Sequence, residues 1–368
     1  MDRATIDIYD ESGALWAKRR TPVRRADALA FARRVIPGTV RIDLGCGAGR
    51  YTTELGRPVI GLDASRTMLA LCRDGTPAAL LVQGDLEALP FRRGCLGGGW
   101  ANMSYLHVPR PRLPLALADL HRVLAVGAAV DIQVLAGSYE GRALPDDDVG
   151  GRFFASWEAD QLADILTGAG FDVRRLEVDG EVVRAQAVRA RTLADTVGAG
   201  LRLLTVGLNP SLYAADAGVG YARPGNRFWP ALMAAGIATR DRDPVHALRV
   251  HGIGMTDLVK RATVGAKGID AAEYRSGIAR VERLVRWLAP ASVCMVGLSG
   301  WRAAVDADAR PGLQEHLFGG RPLYVMPSTS GANAHAQMPD LVDHLRRAVG
   351  AGGDASDGPD ESARSPRT

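Results

Sequence analysis

At 368 residues the chain exceeds the usual size of one domain, and 47% hydrophobic with 23% charged residues is ordinary for a globular protein, so two separately cored domains are expected. Residues 1–200 carry 25 Lys+Arg against 25 Asp+Glu, residues 201–350 carry 18 against 12, and residues 351–368 carry 2 against 4, so the second half suits a polyanionic partner. Four scattered cysteines without a CxxC pair argue against a disulfide framework or a metal centre, and the absence of a signal peptide or a long apolar run predicts a cytoplasmic protein with no membrane segment.

Strand-like and helix-like runs alternate throughout, which predicts α/β architecture in both domains. TVRIDLG (39–45), RPVIGLD (57–63) and AALLVQGD (78–85) read as short buried strands, each followed by a helical stretch. After the strand GAAVDIQVL (127–135), the run SWEADQLADILTGAGF (156–171) reads as a helix stopped by Gly170. DVRRLEV and EVVRAQAV then read as a hairpin around Asp179–Gly180. Ala190–Gly200 holds little that must be buried, so the boundary is placed there, giving domains at 1–190 and 201–350 joined by a linker at 191–200. In the second half LRLLTVGLN (201–209), ASVCMVGLS (291–299) and RPLYVMPS (321–328) read as strands, and residues 272–289 repeat apolar positions at helical spacing. The polar, Gly/Pro-rich stretch 351–368 reads as a disordered tail.

DLGCGAGR (43–50) sets three glycines, Gly45, Gly47 and Gly49, between a strand and a helical stretch. Glycines there let the backbone turn tightly and leave room for a ligand. Asp63 in GLDAS ends the next strand, where it suits a ribose diol, and Asp85 in GDLEALPF follows the third, where it suits an adenine amino group. The ordered set resembles the class I S-adenosylmethionine-dependent methyltransferases over roughly residues 8–190. That resemblance implies a Rossmann-like fold and a cofactor pocket built from Asp43, the three glycines, Asp63 and Asp85. The competing reading, a dinucleotide-binding fold, lacks its GxGxxG fingerprint. WANMSYLHVPRP (100–111) lacks the Asn/Asp-Pro-Pro-aromatic motif of amino-methyltransferases acting on DNA bases, which points to a small-molecule methyl acceptor. His107 in that stretch could serve as a general base but is read as packing or surface.

TVGLNPSLYAADAGVGYARPGNRFWPAL (205–232), HGIGMTDLVKRAT (251–263) and VMPSTSGANAH (325–335) resemble, in order, the mismatch-specific uracil-DNA and thymine-DNA glycosylases. The resemblance implies a uracil-DNA-glycosylase-like α/β/α domain. Its substrate would be double-stranded DNA with a G·U or G·T mismatch, and its product an abasic site. Cleaving the bond to the base passes through an oxocarbenium-like state, with a water entering opposite the departing base. By the resemblance Asn209 holds that water, Pro210 fixes the turn that carries it, and Phe228 stacks on the extruded base. Trp229 is read as helix core, Tyr221 is placed near the pocket mouth, and Asn226 suits a helix cap as well as a base or loop contact.

By the same resemblance, Ser328, Thr329, Ser330, Gly331, Ala332 and Asn333 form the loop that pinches the phosphates and fills the gap left by the flipped nucleotide. Relatives carry a bulky Leu or Arg where this chain has Ala332, so a weaker wedge is expected, helped by Asn333. Ser211 replaces the more usual glycine after Asn-Pro, an exchange expected either to narrow the base pocket or to alter base choice. Asp257 stands where some relatives carry Asn and is read foremost as a cap for a helix beginning at Leu258, otherwise as a base contact. Lys260 and Lys267 read as surface or phosphate-facing charge, and no lysine suggests Schiff-base chemistry. The expectation is a monofunctional glycosylase that needs no cofactor or metal, fused to a methyltransferase domain. Two alternatives stand beside it: a methyltransferase with a catalytically silent DNA-binding half, and a glycosylase carrying a methyltransferase-like scaffold.

Overall fold

The computed structural model describes residues 1–19, 23–145, 147–265, 268–331, 333 and 335–353. Most of the predicted tail, 354–368, lies outside the described residues, as do Lys267 and Ala332. The chain divides into two compact units, Met1–Asp195 and Thr196–Thr368.

The first unit runs α1 (Arg3–Lys18), α2 (Arg25–Ala32), β1 (Arg41–Leu44), β2 (Val59–Asp63), α3 (Arg66–Gly75), β3 (Leu80–Gln83), β4 (Leu96–Asn102), α4 (Leu113–Val123) and β5 (Leu124–Leu135). It continues with the short β6 (Glu140–Gly141) and β7 (Phe154–Ala155), α5 (Ala159–Gly168), β8 (Phe171–Asp179) and β9 (Val182–Arg189). Its sheet has the order β3-β2-β1-β4-β5-β9-β8, parallel from β3 to β5 and antiparallel beyond. The order reverses between β1 and β4, which opens a crevice at the carboxyl ends of these strands. The predicted hairpin turns at Gly180 (φ +59°), and α5 ends where Gly170 takes φ +92°.

Two expectations fail here. Only β2 is followed directly by a helix: after β1 the chain makes a series of turns, because Gly45, Gly47, Gly49 and Gly56 all take positive φ, and after β3 it turns through Gly84–Ala88. The segment 190–200 is not a bare linker either, since Thr192, Asp195 and Val197 are buried. Thr196 exchanges two backbone hydrogen bonds of 2.9 Å with Met255, which draws it into the second unit.

The second unit runs β10 (Leu203–Gly207), α6 (Leu212–Ala217), α7 (Phe228–Ala234), α8 (Pro244–His251), β11 (Ile253–Asp257) and α9 (Ala271–Leu288). Then come β12 (Val293–Val296), α10 (Leu298–Ala304), β13 (Gly312–Leu313), β14 (Leu323–Met326) and α11 (Met338–Gly350). The sheet order is β11-β10-β12-β14-β13, parallel except for β13. Its four parallel strands, the edge strand β11 included, are buried residue after residue, as expected of parallel strands covered on both faces. Leu203, Cys294, Val296, Tyr324 and Met326 share one core with Phe228, Trp229 and Leu345. The turns after β10, β11 and β14 leave from the same end of this sheet, and they carry nearly every residue singled out for base excision.

Candidate functional site

Asn209 follows β10 by two residues. Its Nδ2 donates to Thr263 Oγ1 (2.7 Å), to the Arg261 carbonyl (3.1 Å) and to the Pro210 carbonyl (3.2 Å). Two carbonyls can only accept, so they fix which end of the amide is nitrogen. Thr263 spends its own hydrogen on the Gly265 carbonyl (2.7 Å), which leaves its oxygen to accept from Asn209. Among the described residues Oδ1 has no hydrogen-bond partner. The segment after β11 is also stitched to the Asn-Pro turn: Thr263 N donates to Pro210 O (3.1 Å) and Leu212 N to Thr263 O (3.2 Å). Arg261 is held by both carboxylate oxygens of Glu273, at 2.8 Å each, and Glu273 completes a capping box with Asp270 at the start of α9. Ser211 Oγ accepts from Ala214 N (3.1 Å) and caps α6.

Phe228 is fully buried, and Tyr221 lies flat on it with ring centroids 3.9 Å apart. That corrects the expectation for Phe228, because the ring face offered to a base is taken by Tyr221, and Phe228 backs it. Tyr221 holds φ +57°, a conformation few non-glycine residues adopt. Its hydroxyl is buried without a hydrogen-bond partner, and burial together with the nearby Asp257 charge pushes its pKa well up. Trp229 is core as expected, its indole N–H donating to Gly220 O (2.8 Å). Asn226 is not the N-cap of α7, a position held by Arg227, but its Oδ1 accepts from Phe228 N (2.9 Å) just ahead of that helix.

Asp257 ends β11 and is buried. No helix begins at Leu258, which corrects the capping expectation. Leu258 N and Val259 N donate instead to the carbonyls of Gly207 and Leu208, at 2.9 Å each, and hold the chain extended along the β10 turn. A Cβ placed on Gly207 would stand 2.3 Å from Asp257 Oδ1 and 3.1 Å from the Tyr221 hydroxyl. The carboxylate and the phenol therefore converge beside the Asn209 turn. Beneath them the buried Arg280 donates to the Asp257 carbonyl (2.8 Å) and Thr256 Oγ1 (3.1 Å).

The loop after β14 is knitted from within. Arg227 N donates to Thr329 O (2.9 Å), and its guanidinium donates to the carbonyls of Ser330 (3.0 Å), Asn333 (2.7 Å) and Ala336. Ser328 Oγ accepts from Ser330 N (3.2 Å) and Asn333 Nδ2 donates to Ser328 O (2.8 Å). Thr329 is buried, so its hydroxyl is not offered to a phosphate as expected, whereas Ser330 is exposed. Gly331 approaches Gly225 so closely that a Cβ would stand 2.8 Å from Gly225 O. Arg227 and Thr263 escaped the sequence reading: each lies inside a matching block, but nothing in periodicity marks an arginine that braces a loop 100 residues away.

In the first unit the glycine turn and Asp63 meet. Gly47 N donates to Asp63 Oδ2 (2.8 Å) and Ser65 N to Oδ1 (2.9 Å). Burial pushes the Asp63 carboxyl up, against the pull of these N–H groups. A Cβ on Gly45 would strike Ser104, whereas the space before Gly47 is open. Asn102 Oδ1, Ser104 Oγ and the Tyr105 hydroxyl, at the end of β4, are buried without partners. Asp43 points inward, accepting from the buried Thr52 hydroxyl (2.6 Å), and burial pushes its carboxyl up to about 7. Asp85 accepts from the Met1 amino group (2.7 Å) and from Glu87 N (2.9 Å). His107 is packing: it donates from Nδ1 to Phe153 O (2.6 Å), Nε2 faces the Tyr9 hydroxyl (3.0 Å), and burial pushes its pKa down to about 4.

No group of three or more metal-ligating side chains and no helix long and apolar enough to cross a membrane occurs among the described residues.

Residues 42–130 match the family model of a methyltransferase domain. Residues 194–349 match that of the uracil DNA glycosylase superfamily. The polypeptide therefore joins a methyltransferase domain of Rossmann-like fold to a uracil DNA glycosylase superfamily domain. Among solved structures, an S-adenosylmethionine-dependent methyltransferase from Mesorhizobium loti is 19% identical over 44% of this chain and 96% of its own, with a TM-score of 0.37. The Burkholderia thailandensis 1,6-didemethyltoxoflavin-N1-methyltransferase is 19% identical over 51% and 87%, at 0.41. A Thermotoga maritima S-adenosylmethionine-dependent methyltransferase is 15% identical over 50% and 99%, at 0.40.

Proposed function

We propose that the second domain, residues 201–350, is a DNA repair glycosylase that removes uracil, or thymine and related lesions, mispaired with guanine. The first domain, residues 1–190, would bind S-adenosylmethionine and methylate a small molecule. The observation that carries the glycosylase reading is the fixed Asn209 amide, whose Oδ1 is left to accept a hydrogen bond two residues beyond Gly207, beside which Asp257 and Tyr221 converge.

A target base must leave the duplex to enter the pocket, which favours weakly paired bases. Tyr221, backed by Phe228, receives its flat face, while Asp257 meets its polar edge. Asn209 Oδ1 accepts a hydrogen bond from the water and aims its oxygen at C1′. As the C1′–N bond breaks, the base keeps the electron pair and the water oxygen bonds to C1′. The surplus proton passes to solvent, because an amide cannot take it. Such an enzyme depends on positioning rather than on a strong base. Ser330, Gly331 and Asn333 would lie along the phosphates of the flipped strand.

The first domain fits S-adenosylmethionine. An open Gly47, a strand-end carboxylate at Asp63 and the orphaned Asn102 and Ser104 oxygens form a cradle with polar groups to spare. The bound group would supply an electrophilic methyl; Asp63 would hold its ribose, the glycine turn would approach its backbone-facing side, and Asp85 would meet its adenine.

Incubation of the full chain with duplexes containing one G·U, G·T or G·C pair, followed by alkali, tests the first reading: strand cleavage is expected at G·U and not at G·C. Calorimetric titration with S-adenosylmethionine tests the second, and Asp63→Ala is expected to abolish the heat.

A further inference from the structure

Base excision needs a cation at the rim of the pocket, because the strand carrying the target brings its phosphates there. Most basic side chains near the site are already committed. Arg227 spends its guanidinium on the carbonyls of Ser330, Asn333 and Ala336. Arg261 is clamped on Glu273 and also donates to Gly268 O. Arg280 is buried against Thr256 and Asp257. Lys260 has a partner of its own.

Arg223 differs from all of these. It is exposed, and among the described residues its side chain has no hydrogen bond or ion pair. It also stands in the right place, two residues beyond Tyr221 on a turn closed by Asn226 N donating to Arg223 O (3.0 Å). Gly225 in that turn is pressed against Gly331 of the loop after β14, too closely for a Cβ. The base-facing ring, the Arg223 turn and the Ser328–Asn333 loop thus share one rim.

We propose that Arg223 is the cation that grips the DNA backbone there, pairing with a phosphodiester of the strand whose base enters the pocket. A guanidinium offers a planar pair of N–H donors to two phosphate oxygens, and a position on a braced turn spends little entropy in holding it. The proposal rests on the glycosylase reading, because it takes duplex DNA as the ligand.

The test measures the dissociation constant of the full chain for a fluorescent duplex with one G·U pair, using a non-hydrolysable 2′-fluoro uridine, across a series of salt concentrations. Arg223→Ala is compared with Arg249→Ala, which removes an equal charge from α8 near the opposite end of the sheet. Arg223→Ala is expected to lower the slope of log affinity against log salt by about 0.9, the release of one phosphate contact. Arg223→Lys is expected to restore the slope, and Arg249→Ala to leave it as in the wild type. Equal changes for Arg223→Ala and Arg249→Ala, or none for either, would overturn the proposal while leaving the glycosylase reading intact. Failure of the wild type to bind this duplex at low salt would overturn both.

Discussion

Tyr221 lies flat on Phe228, with ring planes inclined by 20° and centroids 3.9 Å apart. The two rings divide the labour that the sequence reading gave to one. Phe228 is core, and Phe228→Ala is expected to cost about 3–5 kcal/mol of stability. Tyr221→Ala should leave the fold standing and slow uracil release. Tyr221→Phe discriminates further: it removes a buried hydroxyl with no partner, so stability should rise by about 1 kcal/mol. The ring face offered to the base is kept, so excision should stay near the wild-type rate in the same variant. Denaturant unfolding and single-turnover excision, measured side by side, check all three.

Gly207→Ala would push a methyl group to 2.3 Å from Asp257 Oδ1. The carboxylate must move, so the variant should lose about 1–3 kcal/mol of stability and most of its excision rate. The double variant Gly207→Ala with Asp257→Ala should recover stability but not base selectivity. Thermal midpoints and release from G·U against G·T duplexes give the readings.

Thr263→Val keeps the shape of the side chain but removes the oxygen that accepts from Asn209. The amide is then held by carbonyls alone, and excision at saturating enzyme is expected to fall roughly tenfold or more, since catalysis here is positioning. Thr263→Ser should restore most of the rate. Combined with Asn209→Ala, Thr263→Val should add little, because the two residues act as a unit.

Asp43 predicts a pH dependence for the first unit. Its carboxyl rises from 3.8 unfolded to about 7 in the fold, so between these values the native state binds the extra proton. Its contribution to stability is complete below the unfolded value and is lost as pH rises through about 7. Asp43→Asn mimics the protonated form and keeps an acceptor for Thr52. Calorimetry should find similar melting for both proteins at acidic pH, and a higher midpoint for the variant above pH ~8.

Much of this architecture is legible in the sequence because parallel strands buried on both faces leave unbroken apolar runs such as LLTVG and VCMV. The glycine turn and Asp63 were legible for a similar reason: their spacing reflects a local geometry. What was missed depends on contacts between distant segments. Leu258 looks like a helix start, but its N–H is captured by Gly207. Phe228 and Tyr221 are both aromatic residues in one block, and only the left-handed backbone at Tyr221 decides which ring covers the other. Arg227 reads as a surface charge until the loop after β14 is seen folded over it.

The most direct test of the Asn209 assignment compares the wild type with Asn209→Ala on a labelled G·U duplex at saturating enzyme, with binding measured on the same preparations. Abasic sites are expected from the wild type, with a loss of at least about a hundredfold in Asn209→Ala and duplex affinity retained. Equal release by both proteins would contradict the role given to Asn209. Binding by both without release by either would leave the second domain a DNA-binding module without this chemistry.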